Sequence, residues 1–244
     1  MTIRMIAGMI SLAALVWAET ASAQKTYSLT VSRHRDVRET LSEAEVSRIL
    51  MKASKMLKKD SSHDDDDDIA CNVNFRLSGP VRTFTSAGMA VVDEDNVENV
   101  HEVDSDLPGD FHVKLVKEIK FCRPETGRGA FAGCSFSPPD FRSMILVHPK
   151  IHRDGNGRPL PDYPDHLLWA HEFGHLTGSG HRHDPAVALM TACDLIGLAT
   201  ITDTCVRVSR AECNRLLSGP GKRPPAAFGQ CLLPQPLPSC RAGR

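Results

Sequence analysis

A single α+β domain is what the sequence predicts, and three observations predict it. Strand-like stretches come at residues 26–32, 69–77, 111–122 and 143–148. Two stretches with helical spacing, 41–58 and 162–177, stand among them, and a short third follows at 209–217. The chain has 244 residues, of which 41% are apolar, enough for one domain with its own core. Early strands and a helix, a strand pair in between and a last short helix are the pattern of an α+β layer arrangement.

The first segment lies outside that domain. Met1–Arg4 carries one positive charge, Met5–Ala18 is almost wholly apolar, and Ala21-Ser22-Ala23 has the small residues of a cleavage point. Residues 1–23 are therefore expected to be a secretory signal peptide, cut before Gln24. The apolar run is shorter than the ~20 residues that span a bilayer, and no later stretch is apolar enough. The processed protein is expected to be soluble, secreted or periplasmic, with no membrane partner. All 8 cysteines follow the cut, which in an exported chain predicts disulfides. Cys122 with Cys134 and Cys231 with Cys240 are the expected local pairs, and the rest of the connectivity stays open. A cysteine-based metal site would need a C-x-x-C spacing, and there is none.

Taken in order, Thr26–Ser32 alternates as a first strand. Ser42-Glu43-Ala44-Glu45 fits a capping box, in which Ser42 and Glu45 satisfy each other's free backbone N–H groups. Behind it Val46, Ile49, Leu50, Ala53, Met56 and Leu57 recur at helical spacing, so an amphipathic helix is expected over 41–58. Asp64–Asp68 is a run of five carboxylates. Ca2+ loops draw ligands from alternate positions around a glycine, so Ca2+ is possible here but unsupported, and a solvated loop is expected. Ile69–Leu77 predicts a strand ended by Ser78-Gly79-Pro80, and Ala87–Asp110 is ambiguous. Phe111–Cys122 alternates apolar and charged residues as a half-buried strand should, placing the Cys71 and Cys122 strands in one sheet. Ser143–His148 is a short apolar strand. Asp162–Pro164 opens a helix that runs to about Thr177 and stops at Gly178. Ser209-Arg210-Ala211-Glu212 is a second capping box, opening a helix to about Leu217. The domain is thus expected over residues 24–217, with 218–244 a Pro- and Gly-rich tail.

The formal net charge of −1 gives no basic field for nucleic acid, so nucleic acid is excluded as a partner. Chemistry concentrates at His171-Glu172-Phe173-Gly174-His175-Leu176-Thr177-Gly178-Ser179-Gly180-His181. A helix turns about 100° per residue, which puts His171 and His175 on one face, a turn apart. Two imidazoles so placed reach one zinc at about 2.0–2.1 Å. Glu172 stands slightly off their axis, able to take a proton from a water without binding the metal. Gly178 lets the chain double back, so His181 can supply a third imidazole. Three protein ligands leave a fourth position open, the mark of a catalytic Zn2+ site. The full string fixes five positions, far more than an accidental i, i+4 histidine pair.

That string, followed by Ala188-Leu189-Met190-Thr191, resembles the metzincin clan of zinc endopeptidases. Met190 lies nine residues after His181, a spacing similar to that of matrixins. The resemblance implies a metzincin-like zincin fold: a twisted mixed sheet, five-stranded in the clan, an active-site helix beneath the cleft, and a small C-terminal subdomain. It implies one Zn2+ on His171, His175 and His181, Glu172 as catalytic base, Met190 in a structural turn below the histidines, and a polypeptide substrate. It also implies that Ser143, Met144, Ile145, Leu146, Val147 and His148 form the edge on which an extended peptide adds, with a pocket between the helix and 190–196. The chain departs from matrixins in having Ala192 two residues past the methionine, and no tyrosine follows that methionine. His183 competes with His181 as third ligand, but the clan spacing selects His181. His166 is expected to point away, and Asp184 is a candidate partner for an imidazole N–H. Leu167, Ala170 and Gly174 are expected to be the helix's packing face. Two other readings remain: a secreted zinc-binding module without catalysis, and a different zinc peptidase clan with Glu212 as third ligand.

Overall fold

The computed structural model describes residues 24–59, 69–86, 88–122, 128–135, 142–153, 156–161, 163–181, 189–190 and 206–219. The signal segment, the aspartate run, nearly all of the tail, Asp162, His183, Asp184 and Cys193, Cys205, Cys231 and Cys240 lie outside them. The chain runs through β1 (Lys25–His34), α1 (Glu43–Leu57), β2 (Val73–Leu77), β3 (Arg82–Phe84), β4 (Val91–Val92), α2 (Val97–Glu102) and β5 (Phe111–Val116). It continues through β6 (Glu118–Phe121), β7 (Arg128–Phe131), β8 (Gly133–Ser135), β9 (Ser143–Val147), α3 (Asp165–Leu176) and α4 (Arg210–Ser218). The α+β expectation holds.

The main sheet has the order β2-β1-β5-β9-β8, with β3 also on β1. β2 pairs with the first half of β1, from Lys25 to Leu29, and β3 with its end, from Ser32 to His34, so the two share one side of it in succession. All these pairings are parallel except that of β8, which runs antiparallel to β9. The sheet is therefore mixed, with six strands rather than five.

Alternation along β1 sends Tyr27, Leu29 and Val31 to one face, where α1, α3 and α4 cover the main core. Phe173 of α3 sits at its centre, with ring centroids 4.6, 4.7 and 4.9 Å from Phe111, Phe75 and Tyr27. Such edge-to-face packing locks the helix to the sheet. Tyr27 also donates to Leu216 O at 2.6 Å, fixing α4, and burial pushes its phenol up to about 12. The Cys71–Cys213 disulfide ties the entry of β2 to α4, across 142 residues of sequence. The second face is closed by α2 and a small sheet of order β4-β6-β7 around Val92, Val97, Val100, Ile119 and Ile145.

Residues 111–122 depart from the single half-buried strand expected. The chain breaks at Lys117, whose N–H donates to Ala90 O at 2.8 Å, and passes from the main sheet into the small one. Cys122 therefore ends a strand of a different sheet from the one that follows Cys71. β5 is buried on both faces because both are covered. Its polar residues are accommodated rather than solvated: Lys114 donates to Val103 O, and burial lowers its amine to about 8. The ambiguous stretch before it resolves into β4 and α2.

Candidate metal centre

α3 divides its residues between two sides. Leu167 and Ala170 turn into the core as expected of the packing face, Phe173 joins them, and Gly174 packs against Met190. Its other side carries His171 and His175, whose rings are 4.8 Å apart and perpendicular. The helix ends at Thr177, and Gly178 takes φ 84°, the left-handed conformation that favours glycine. The chain then turns back and brings His181 to the pair, with centroids 4.6 Å from His175 and 5.4 Å from His171. One nitrogen from each of the three falls within 4.8 Å of the others, the one such group among the described residues.

The orientation of the rings is set by backbone carbonyls. His171 Nδ1 lies 2.7 Å from Leu189 O, and His175 Nδ1 lies 2.9 Å from Ser179 O. A carbonyl only accepts, so both Nδ1 atoms carry a proton, and in the neutral ring that leaves Nε2 with the lone pair a metal needs. His175 Nε2 stands 3.1 Å from His181 Nε2. Two nitrogens bound to one tetrahedral zinc at about 2.1 Å would be about 3.4 Å apart, so the spacing of this pair is close to what that ion needs. Burial pushes the His171 imidazole below its ordinary value, against a smaller upward pull from its bond to Leu189 O, which keeps it neutral. Neutral imidazoles in a three-nitrogen set suit zinc.

Glu172 is buried beside this cluster, 6% exposed. Its carboxylate lies against β8: a Cβ built on Gly133 would overlap Oε1 and stand 2.6 Å from Cγ and Cδ. Met190 is also buried, and its sulfur occupies the place that a Cβ on Gly174 would need. The residue before it provides the carbonyl that orients His171, and Leu189 N–H in turn donates to Arg207 O at 2.8 Å. Leu189 and Met190 are thus joined to the segment that leads into α4.

The sequence missed three contributors. Gly133 lies in a Gly-rich stretch with nothing to mark it out, and the carbonyls of Ser179 and Leu189 carry no residue signature at all. Asp184 is not required as imidazole partner for His171 or His175, since backbone oxygens fill that role. His166 is half-buried and is not part of the three-histidine group. Glu212 is occupied elsewhere: its Oε2 accepts from Ser209 N–H at 2.7 Å in the capping box of α4.

One assignment is corrected. Ser143–His148 is not a sheet edge, because β9 is flanked by β5 on one side and β8 on the other. Ser143, Met144, Ile145, Leu146, Val147 and His148 are all buried. Their apolar run gave no hint of the three-residue strand that covers them. The outer position belongs to β8, which pairs with no further strand among the described residues.

No protein-family model matches the chain, and no curated protein matches it. Solved structures give similarities at 13% identity. Archaemetzincin from Methanopyrus kandleri aligns with a TM-score of 0.46 over 79% of this chain and 93% of its own. Mature mirolysin from Tannerella forsythia, in complex with a cleaved peptide, aligns at 0.43 over 80% and 91%. A zinc-dependent peptidase from Methanocorpusculum labreanum aligns at 0.43 over 78% and 99%.

Proposed function

We propose that the protein is a zinc-dependent endopeptidase of metzincin type, with His171, His175 and His181 as ligands and Glu172 as general base. The observation that carries this reading is the convergence of three imidazoles, two with Nδ1 held by backbone carbonyls, beside a buried carboxylate. Held by His171, His175 and His181, a zinc ion would supply a Lewis acid for the scissile carbonyl and would lower the pKa of a water to about 7. Glu172 accepts a proton from the attacking water and returns it to the leaving amine. Met190 and Gly174 keep the two helical histidines at a fixed depth. An extended polypeptide adds beside β8, which pairs with β9 alone among the described strands. Residues 1–23 direct export. The disulfides accord with an oxidising compartment, and no helix among the described residues is long and apolar enough to cross a membrane.

The mature chain, produced from Gln24 onward, tests this directly. One zinc per chain is expected, lost on His181→Ala and retained on Glu212→Ala. Casein hydrolysis should stop with a chelator and return with zinc. Full zinc occupancy without cleavage of any peptide would refute the peptidase and favour a zinc-binding module. Retention of zinc by His181→Ala would reject the ligand set.

A further inference from the structure

The Cys122–Cys134 disulfide stands out because of what lies next to it. Cys134 is the middle residue of β8, and Gly133 before it is the backbone against which the Glu172 carboxylate rests. β8 itself is only three residues long and pairs with β9 alone among the described strands. So short an edge strand has few ladder hydrogen bonds and is prone to local opening. A further anchorage is covalent. Cys122 directly follows β6, whose Ile119 is wholly buried in the second core. The chain leaves the small sheet through β7 and enters the main sheet at β8, so the bridge closes this excursion where it arrives beside the catalytic helix.

We propose that the Cys122–Cys134 disulfide is a positioning element for catalysis: it pins β8 so that Gly133 holds the Glu172 carboxylate at the metal centre. Resting on the peptidase reading above, the inference assigns to this bond a role distinct from that of Cys71–Cys213. The latter lies in the main core, where it joins β2 to α4. Because Glu172 is not a metal ligand, loosening β8 misplaces the base without releasing zinc. Because a methyl group on Gly133 would strike the same carboxylate, Gly133→Ala should reproduce the kinetic effect with the bond intact.

The test compares the zinc-loaded wild type with Cys122→Ser/Cys134→Ser and with Gly133→Ala. Amide hydrogen exchange in Gly133–Ser135 should quicken by about tenfold or more in the double variant, while α1 and β5 amides keep their wild-type rates. Bound zinc should stay at one per chain. On a quenched peptide substrate kcat should fall at least tenfold in both variants with KM within about twofold. Unchanged exchange in β8, equal acceleration in every element, or preserved kcat with a mobile β8 would each overturn the proposal. A wild-type protein that holds zinc but cleaves nothing would refute the peptidase reading instead, and the exchange arm would then decide alone whether the bond pins β8.

Discussion

α1 and α3 lie against the same face of the same sheet, yet they are helical for different reasons. α1 has a capping box at Ser42 and Glu45, a buried row of Val46, Leu50, Ala53, Met56 and Leu57, and an opposite side wet enough to leave Met51 exposed. α3 begins at Pro164 with no side-chain cap, and eight of its twelve residues are buried, Glu172 among them. Local signals specify the first helix. The second is held by what surrounds it: Phe173 among three aromatic rings, Met190 beneath Gly174, and Gly133 against Glu172. Such external support lets α3 carry two histidines and a carboxylate on three of its positions, none chosen for packing. The comparison teaches where sensitivity should lie: in α1 at its cap, and in α3 at its neighbours.

The strongest way to break the comparison is to remove the proposed base. Glu172→Ala should lower kcat by about 10²–10⁴-fold while zinc stays bound. Metal analysis and peptide kinetics on one preparation check both parts. A variant that keeps wild-type turnover would show that α3 carries its carboxylate for packing after all.

A second prediction reverses the usual rule for helical glycine. In an exposed helix interior Gly→Ala gains up to about 1 kcal/mol. At Gly174 the added methyl meets the sulfur of a wholly buried Met190, so Gly174→Ala should instead cost about 1–3 kcal/mol. Denaturant unfolding measures the sign. Met190→Ala, made in the Gly174→Ala background, should cost less than in the wild type, because the overlap is then already relieved. Additive losses would mean that the two residues do not share this contact.

Legibility follows the same division. α1, the extent of α3, the α4 cap, the Cys122–Cys134 pair and the three converging histidines could all be read from spacing and capping residues, which are local. What could not be read depends on neighbours distant in sequence. Lys117 looks like one more polar position in an alternating strand, but it is where the chain changes sheets, because Ala90 O takes its N–H. Ser143–Val147 has the composition of any buried strand, and only the presence of β8 decides that it is interior. Cys71 and Cys213 are joined because β2 and α4 meet in the core, which no periodicity reveals. Lys114 and His112 looked like the wet side of β5 and are buried, because the second face turned out to be covered by α2 and the small sheet.

The smallest effects belong to α1. Ser42 Oγ accepts from Glu45 N–H at 3.3 Å, and Glu45 Oε2 accepts from Ser42 N–H at 2.8 Å. Ser42→Ala should cost about 1 kcal/mol of stability and leave kcat untouched. Denaturant unfolding and peptide turnover test that pairing, and a change in kcat would tie the cap to the site.

The cap also has a pH signature. The side-chain bond to Lys150, 2.8 Å away, and the bonds from Ser42 lower the Glu45 carboxyl to about 2, against an ordinary 4.5. A depressed carboxylate means that the unfolded chain binds the extra proton first as acid is added. The contribution is therefore complete above pH ~4.5 and fades as pH falls towards 2. Both partners are partly exposed, so screening keeps it below about 1 kcal/mol. The stability gap between wild type and Glu45→Gln should thus be steady from pH 7 to 5 and shrink between 4.5 and 3, with 1 M salt reducing it throughout. A gap that held constant down to pH 3 would mean that the ionised carboxylate contributes nothing beyond the hydrogen bonds a glutamine can accept. The helix start would then be specified by geometry alone, and the local electrostatics attributed to α1 would have to be withdrawn.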